Sequence, residues 1–132
     1  MMRRLVAALP LLLVACNVPA PKPPPMVAAG EAVSCVDTNR IRETRVQDDR
    51  TIDFRMNNGA VYRNTLPQRC PGLGVERAFT YRLTMPRLCS VDVVTVLHSS
   101  GGPMRGASCG LGAFVPVRPA DPSPASASPA RP

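Results

Sequence analysis

Tryptophan is absent, histidine and lysine occur once each, and two tyrosines and three phenylalanines are the only aromatic residues among 132. One histidine and no glycine-rich phosphate motif leave few groups for nucleophilic or nucleotide chemistry. The length excludes a large multi-domain enzyme. No apolar run approaches the ~20 residues that cross a bilayer; the longest, Leu5 to Ala15, has eleven. Proline, by contrast, is plentiful, with five of the sixteen in residues 17–30 and five in 119–132. The part able to bury a core is therefore residues 31–118.

The chain opens Met1-Met2-Arg3-Arg4, and the eleven apolar residues after these end at Cys16. A basic start before a short apolar run reads as a signal peptide over residues 1–15. Leu13-Val14-Ala15-Cys16 resembles the lipobox of bacterial lipoproteins, which implies cleavage before Cys16 and lipidation of its thiol. An ordinary secretory site after Val18-Pro19-Ala20 is the competing reading, and Pro21 would block it. Asn17 in place of Asp implies sorting to the outer membrane by the enteric rule, so a periplasm-facing lipoprotein of the outer membrane is expected. Two or three acyl chains, at ~0.8 kcal/mol per buried methylene, hold such a protein on the membrane. Residues 16–30 then form a Pro-rich tether with a reach of roughly 40 Å at ~3.1 Å per residue. Pro21 and Pro24 also fit P-x-x-P, a recognition alternative. Residues 119–132 hold nothing apolar larger than Ala, Pro or the stem of an arginine and read as a disordered tail.

Loss of Arg3 and Arg4 takes the formal charge from +7 to +5, and the body carries twelve arginines against eight acids. Guanidinium groups suit phosphate and carboxylate, so Arg45, Arg50, Arg55 and Arg63 are candidate contacts for an anionic envelope polymer or an envelope protein. GC-rich coding also yields many arginines, and the charges alternate in sign. Nucleic acid is not an expected partner, since aromatic stacking positions beside the basic residues are few.

Cys35, Cys70, Cys89 and Cys109 remain once Cys16 is set aside, an even number in an exported chain. They read as two disulfides with three possible connectivities. The nested pairing, Cys35 with Cys109 and Cys70 with Cys89, is favoured because it ties the ends of the body together. Zinc is disfavoured by the ligand spacing, and no cofactor is called for.

The body reads as strands. Arg50 to Met56 alternates apolar and polar, Asn57-Asn58-Gly59 comes next, and Ala60 to Thr65 continues, which is a hairpin signal. A two-residue turn would set Phe54 against Arg63. A three-residue loop with Gly59 left-handed sets Phe54 against Tyr62 and Asp53 against Arg63, the better match, with Ile52, Phe54 and Met56 facing inward. Ile41 to Gln47 precedes the hairpin as its neighbour, turning at Asp48-Asp49. Val75 to Leu83 reads as a half-buried strand, and Val91 to His98, apolar on both faces, as a central strand or one covered on both sides. A loop runs on to Gly112, and Ala113 to Arg118 is a last strand that Pro116 assigns to an edge. No amphipathic helix is evident. The expectation is all-β: a small antiparallel barrel or sandwich of five to seven strands with two disulfides.

Cys35, Val46-Gln47-Asp48-Asp49-Arg50-Thr51-Ile52, Tyr62-Arg63, Arg69-Cys70-Pro71-Gly72-Leu73, Cys89-Ser90 and Cys109 together resemble a family of short, exported, cysteine-containing proteobacterial proteins known as a domain of unknown function. The resemblance implies an exported fold with structural cysteines and brings no activity with it.

Asp48 and Asp49 are candidates for paired acid–base chemistry, but adjacent strand residues point to opposite faces, and a turn with a salt bridge to Arg45 or Arg50 is the expected role. His98, with Asp92 upstream and Ser99 next to it, suggests a triad, yet six extended residues span ~20 Å. Pro71 to Gly74 and Gly110 to Gly112 read as turns. No catalytic residue is assigned. The leading functional reading is a non-enzymatic envelope lipoprotein acting as a binding or structural module. An inhibitor of a periplasmic hydrolase, and a small hydrolase using Asp48, Asp49 or His98, are the alternatives.

Overall fold

In the computed structural model, which describes residues 25–100 and 104–120, ten strands succeed one another along the chain. They are β1 (Met26–Ala28), β2 (Cys35–Asp37), β3 (Ile41–Val46), β4 (Thr51–Met56), β5 (Val61–Thr65), β6 (Phe79–Tyr81), β7 (Arg87–Cys89), β8 (Val93–His98), β9 (Met104–Gly110) and β10 (Phe114–Pro119). One short helix, α1 (Leu73–Glu76), and one 3-10 turn (Thr38–Arg40) interrupt them. Cys16, residues 1–15, the tether up to residue 24 and the tail from 121 lie outside the described residues. The fold is all-β and antiparallel with two disulfides, as expected, and six of its strands run five residues or more. Among the described residues no helix is long and apolar enough to cross a membrane.

The hairpin adopts the register its side chains favour. Asp53 lies opposite Arg63 and Phe54 opposite Tyr62, Gly59 has φ 88°, and β3 pairs antiparallel with β4. Around this meander the sheets assemble as β1-β10-β5-β4-β3, β6-β8-β9 and the ribbon β2-β7. Their inner faces share one core: Ile52, Phe54 and Met56 from β4, Phe114 from β10, Val94 and Val96 from β8, Val36 from β2 and Leu88 from β7. Phe54 meets Phe114 edge-on at 5.4 Å and Phe79 at 6.4 Å, and Phe79 meets Tyr81 at 6.3 Å, so four of the five aromatic rings form one contact chain across two sheets.

The disulfides join Cys35 to Cys89 and Cys70 to Cys109, which overturns the nested pairing. Bonds from Thr38 N–H to Pro86 O and from Ser90 N–H to Ser34 O flank the β2-β7 ladder. Cys35 and Cys89 are therefore a non-hydrogen-bonded pair, the position where facing side chains come closest, with Cα atoms 4.0 Å apart. Cys109, opposite Val94 on β9, is left for Cys70.

Other segments depart from expectation. Val75 is not in a strand: Gly72 at φ 85° starts α1, Arg77 at φ 52° ends it, and Val75 is 85% exposed. The alternation is already broken at Arg77, which would share the apolar side, and only Phe79–Tyr81 is extended. β8 is central, between β6 and β9, but Val94 and Val96 alone are fully covered while Val93 is exposed. The expected loop before Gly112 contains β9, whose run of Gly, Ala and Ser carries no strand preference and is held by pairing with β8. β10 lies inside its sheet, because β1 pairs with it. Pro116 fits there because Ala29 N–H donates to Pro116 O at 2.8 Å, and only the return bond, which proline cannot make, is lost. Met26–Ala28, placed in the tether, thus belongs to the folded body.

Asn64 ties the corner between the two larger sheets. It is fully buried on β5, accepts from Gly112 N–H at 2.8 Å and donates to Gly112 O at 2.6 Å, as an extra residue of a ladder would. A Cβ at Gly112 would run into Thr65 O, so the approach requires glycine. We expect Asn64→Ala to strand both backbone groups and cost about 1–3 kcal/mol in urea denaturation, against near-wild-type stability for Asn57→Ala on the exposed loop.

Candidate functional site

Antiparallel register sets directly opposed residues on the same sheet face, so pairing alone assembles the outer surface of the five-stranded sheet. One row runs Arg45, Asp53, Arg63 and Val115; the next runs Glu43, Arg55, Val61 and Val117. Three of the four candidate arginines therefore share this face. Together with Met26, Gln47, Gly59 and Pro119 they line a concavity of about 390 Å³. Met26 and Pro119 carried no signal in the sequence, because their place depends on the β1-β10 pairing.

The arginines are not equivalent. Arg63 clasps Asp53 through Nε to Oδ1 at 2.8 Å and Nη2 to Oδ2 at 2.9 Å, and Gln47 Nε2 adds a third donor at 2.9 Å. That fork lets Asp53 sit only 6% exposed on an otherwise wet face. Arg45 reaches Glu43 at 2.7 Å, and Arg55 lies 3.9 Å from the same carboxylate. The hydrogen bond from Arg45 is the main reason the Glu43 carboxyl is held below its usual range. Arg45 and Arg55 remain about half exposed. Arg50 is not part of this group: it donates to Leu66 O and Pro67 O and clamps the loop after β5.

The acid–base candidates are structural ties around α1. Asp48 accepts from Arg50 N–H at 2.7 Å, the expected turn. Asp49 bonds Gly74 N–H in the first turn of α1 at 2.7 Å and pairs with Arg69 at 2.8 Å, in place of the expected Arg45 or Arg50. The Gly74 amide, then Arg69, lower its carboxyl pKa. At the other end Glu76 meets His98 Nδ1 at 3.0 Å, Ser99 Oγ at 3.0 Å and Ser99 N–H at 3.1 Å. Asp92 is elsewhere, bonded to Cys89 N–H at 2.6 Å. The carboxylate beside His98 thus comes from 22 residues upstream, a pairing that a scan of local spacing could not find. His98 packs against Gly106, where a Cβ would run into the imidazole.

Arg63→Met leaves the Asp53 carboxylate buried with Gln47 alone and should cost about 2–3 kcal/mol, most of it recovered in the Arg63→Met/Asp53→Leu pair, as read from urea midpoints. The Glu76 carboxyl is lowered first by His98, then by the Ser99 donors. A depressed acid stabilises above its unfolded pKa, near 4.5, and that contribution fades as pH falls through the folded value. The stability gap between wild type and Glu76→Gln should therefore be constant just above about pH 5 and shrink below about pH 4.5.

Against protein-family models, curated proteins and solved structures alike, the chain has no match, so its function has to be read from its own residues.

Proposed function

We propose that the protein is a non-enzymatic, periplasm-facing lipoprotein, held on the outer membrane through Cys16, whose β-body binds an anionic envelope polymer on its outer sheet face. The observation that carries this reading is the gathering of Arg45, Arg55 and Arg63 around one concavity. Arg63 is fixed by Asp53, which orients the face, while Arg45 and Arg55 keep exposed donors for phosphate or carboxylate oxygens. Export is supported by the disulfides, which take up all four cysteines of the body and persist in oxidising compartments. The lipid anchor is supported by the residues before Cys16. Catalysis by Asp48, Asp49 or His98 draws less support, since each of these groups is engaged in holding a turn or α1.

Mass spectrometry of the protein isolated from membranes should give an N-terminal fragment beginning at Cys16 with acyl mass added; an unmodified thiol there removes the anchor. Polygalacturonate, a soluble polyanion, should bind the wild type and bind Arg45→Glu/Arg55→Glu at least about tenfold more weakly at low salt, with the difference narrowing as salt screens it. Equal binding by the two proteins would remove the sheet face from the proposal.

A further inference from the structure

The longest strand of the fold is also its least protected edge. β9 has seven residues and pairs with β8 alone. Other edges carry the usual guards against pairing: β3 has Arg42, Glu43, Arg45 and a register irregularity, and β1, β2, β6 and β7 are three residues long. β9 has one charge, Arg105, and a bulge between Arg105 and Ser108. From Ser108 to Gly110 its side chains are a hydroxyl, a disulfide-bonded sulfur and none.

Which backbone groups face outward is fixed by Leu111. Its N–H donates to Asp92 O at 3.0 Å, so residues 92 and 111, and then 94 and 109, form hydrogen-bonded pairs. Ser108 and Gly110 therefore turn their N–H and C=O away from β8. The same alternate series continues into β10, and each later position is filled. Gly112 exchanges two bonds with the Asn64 amide, Phe114 exchanges two with Val33, Pro116 accepts from Ala29, and Arg118 lies opposite Val27. Among the described residues no backbone group bonds Ser108 or Gly110 on that side.

These two residues line a groove of about 410 Å³ whose far wall is Pro67, Gln68, Arg69 and Pro71, fixed there by the Cys70–Cys109 bond. The two wall prolines have no N–H to offer the ladder. Among the described residues, Arg69 is the one charged group of the groove; its side chain is 77% exposed and touches Asp49 through Nε and Nη2. Small side chains on one wall allow close backbone approach, and the other wall supplies a single positive charge.

We propose that this groove takes up an extended segment of a partner polypeptide, which adds as a strand to β9 at Ser108 and Gly110 and sets an acidic side chain against Arg69. Main-chain bonds supply the attachment and the guanidinium selects the charge of the segment. This site is independent of the arginine face and does not rest on it.

The test uses the oxidised protein and a capped hexapeptide of alternating valine and glutamate. At a peptide concentration about ten times Kd, amide exchange at Ser108 and Gly110 should slow about tenfold, while Cys109, already bonded to β8, is unchanged. A peptide N-methylated at alternate positions should give no protection. Replacing glutamate by lysine should weaken binding, and Arg69→Glu should reverse that preference. Ser108→Pro, which removes the outward N–H together with the hydroxyl contact to Thr95, should abolish protection of Gly110; should that variant misfold, the N-methylated peptide still decides. Equal protection by the N-methylated peptide, or no protection by either, overturns the proposal. So does a protein whose Ser108 and Gly110 amides are already protected in a concentration-dependent dimer, because the occupant would then be a second copy.

Discussion

The loop closed by Cys35–Cys89 contains Cys70, and the loop closed by Cys70–Cys109 contains Cys89. Each bridge thus restrains the segment that the other must organise. For loops of this size the chain-entropy picture assigns ~3–4 kcal/mol to a single bridge, comparable to the whole net stability of many small domains. The core around Phe54 is modest, and α1 spans only four residues. The interlaced ties are what allow it to suffice: one joins the β2-β7 ribbon across its face, and the other brings the loop after β5 against β9.

What was legible in the residues was local. Between Arg50 and Thr65, side-chain alternation, the loop glycine and two cross-strand pairs all agree, and together they give sheet, register and inward face. Where a segment owes its conformation to a partner far along the chain, that agreement is missing. β9 is extended because β8 is beside it, and β1 because β10 is. The cysteine partners are set by the β2-β7 pairing, which Cys35-Val36-Asp37 and Arg87-Leu88-Cys89 are too short to announce. Likewise the four candidate arginines could be chosen by type, but whether they meet is a matter of register and loop contacts, and Arg50 is taken up by the carbonyl groups of Leu66 and Pro67.

A common thread is how the acids are used. Asp37, Asp48, Asp49, Asp92 and Glu76 each accept a backbone N–H, satisfying amides that short strands and tight turns leave open. Glu43, Asp49 and Asp53 reach an arginine. Glu43 and Asp53 do so from within strands, beside Arg45, Arg55 and Arg63, so the outer sheet face carries charges of both signs.

Pro25 O accepts from Ala120 N–H at 2.8 Å, and Met26 lies opposite Pro119. Both ends of the described body therefore emerge side by side from one corner of the five-stranded sheet. A pull on the two ends loads the β1-β10 ladder as a zipper, opening its bonds one at a time from that corner, instead of shearing them together. The mechanical weak point of the body lies where its two ends leave it. Both disulfides lie inward of that point, at Cys35–Cys89 and Cys70–Cys109. A load that strips β1 and β10 away therefore stops at the segment from Cys35 to Cys109, which the bridges keep cross-linked.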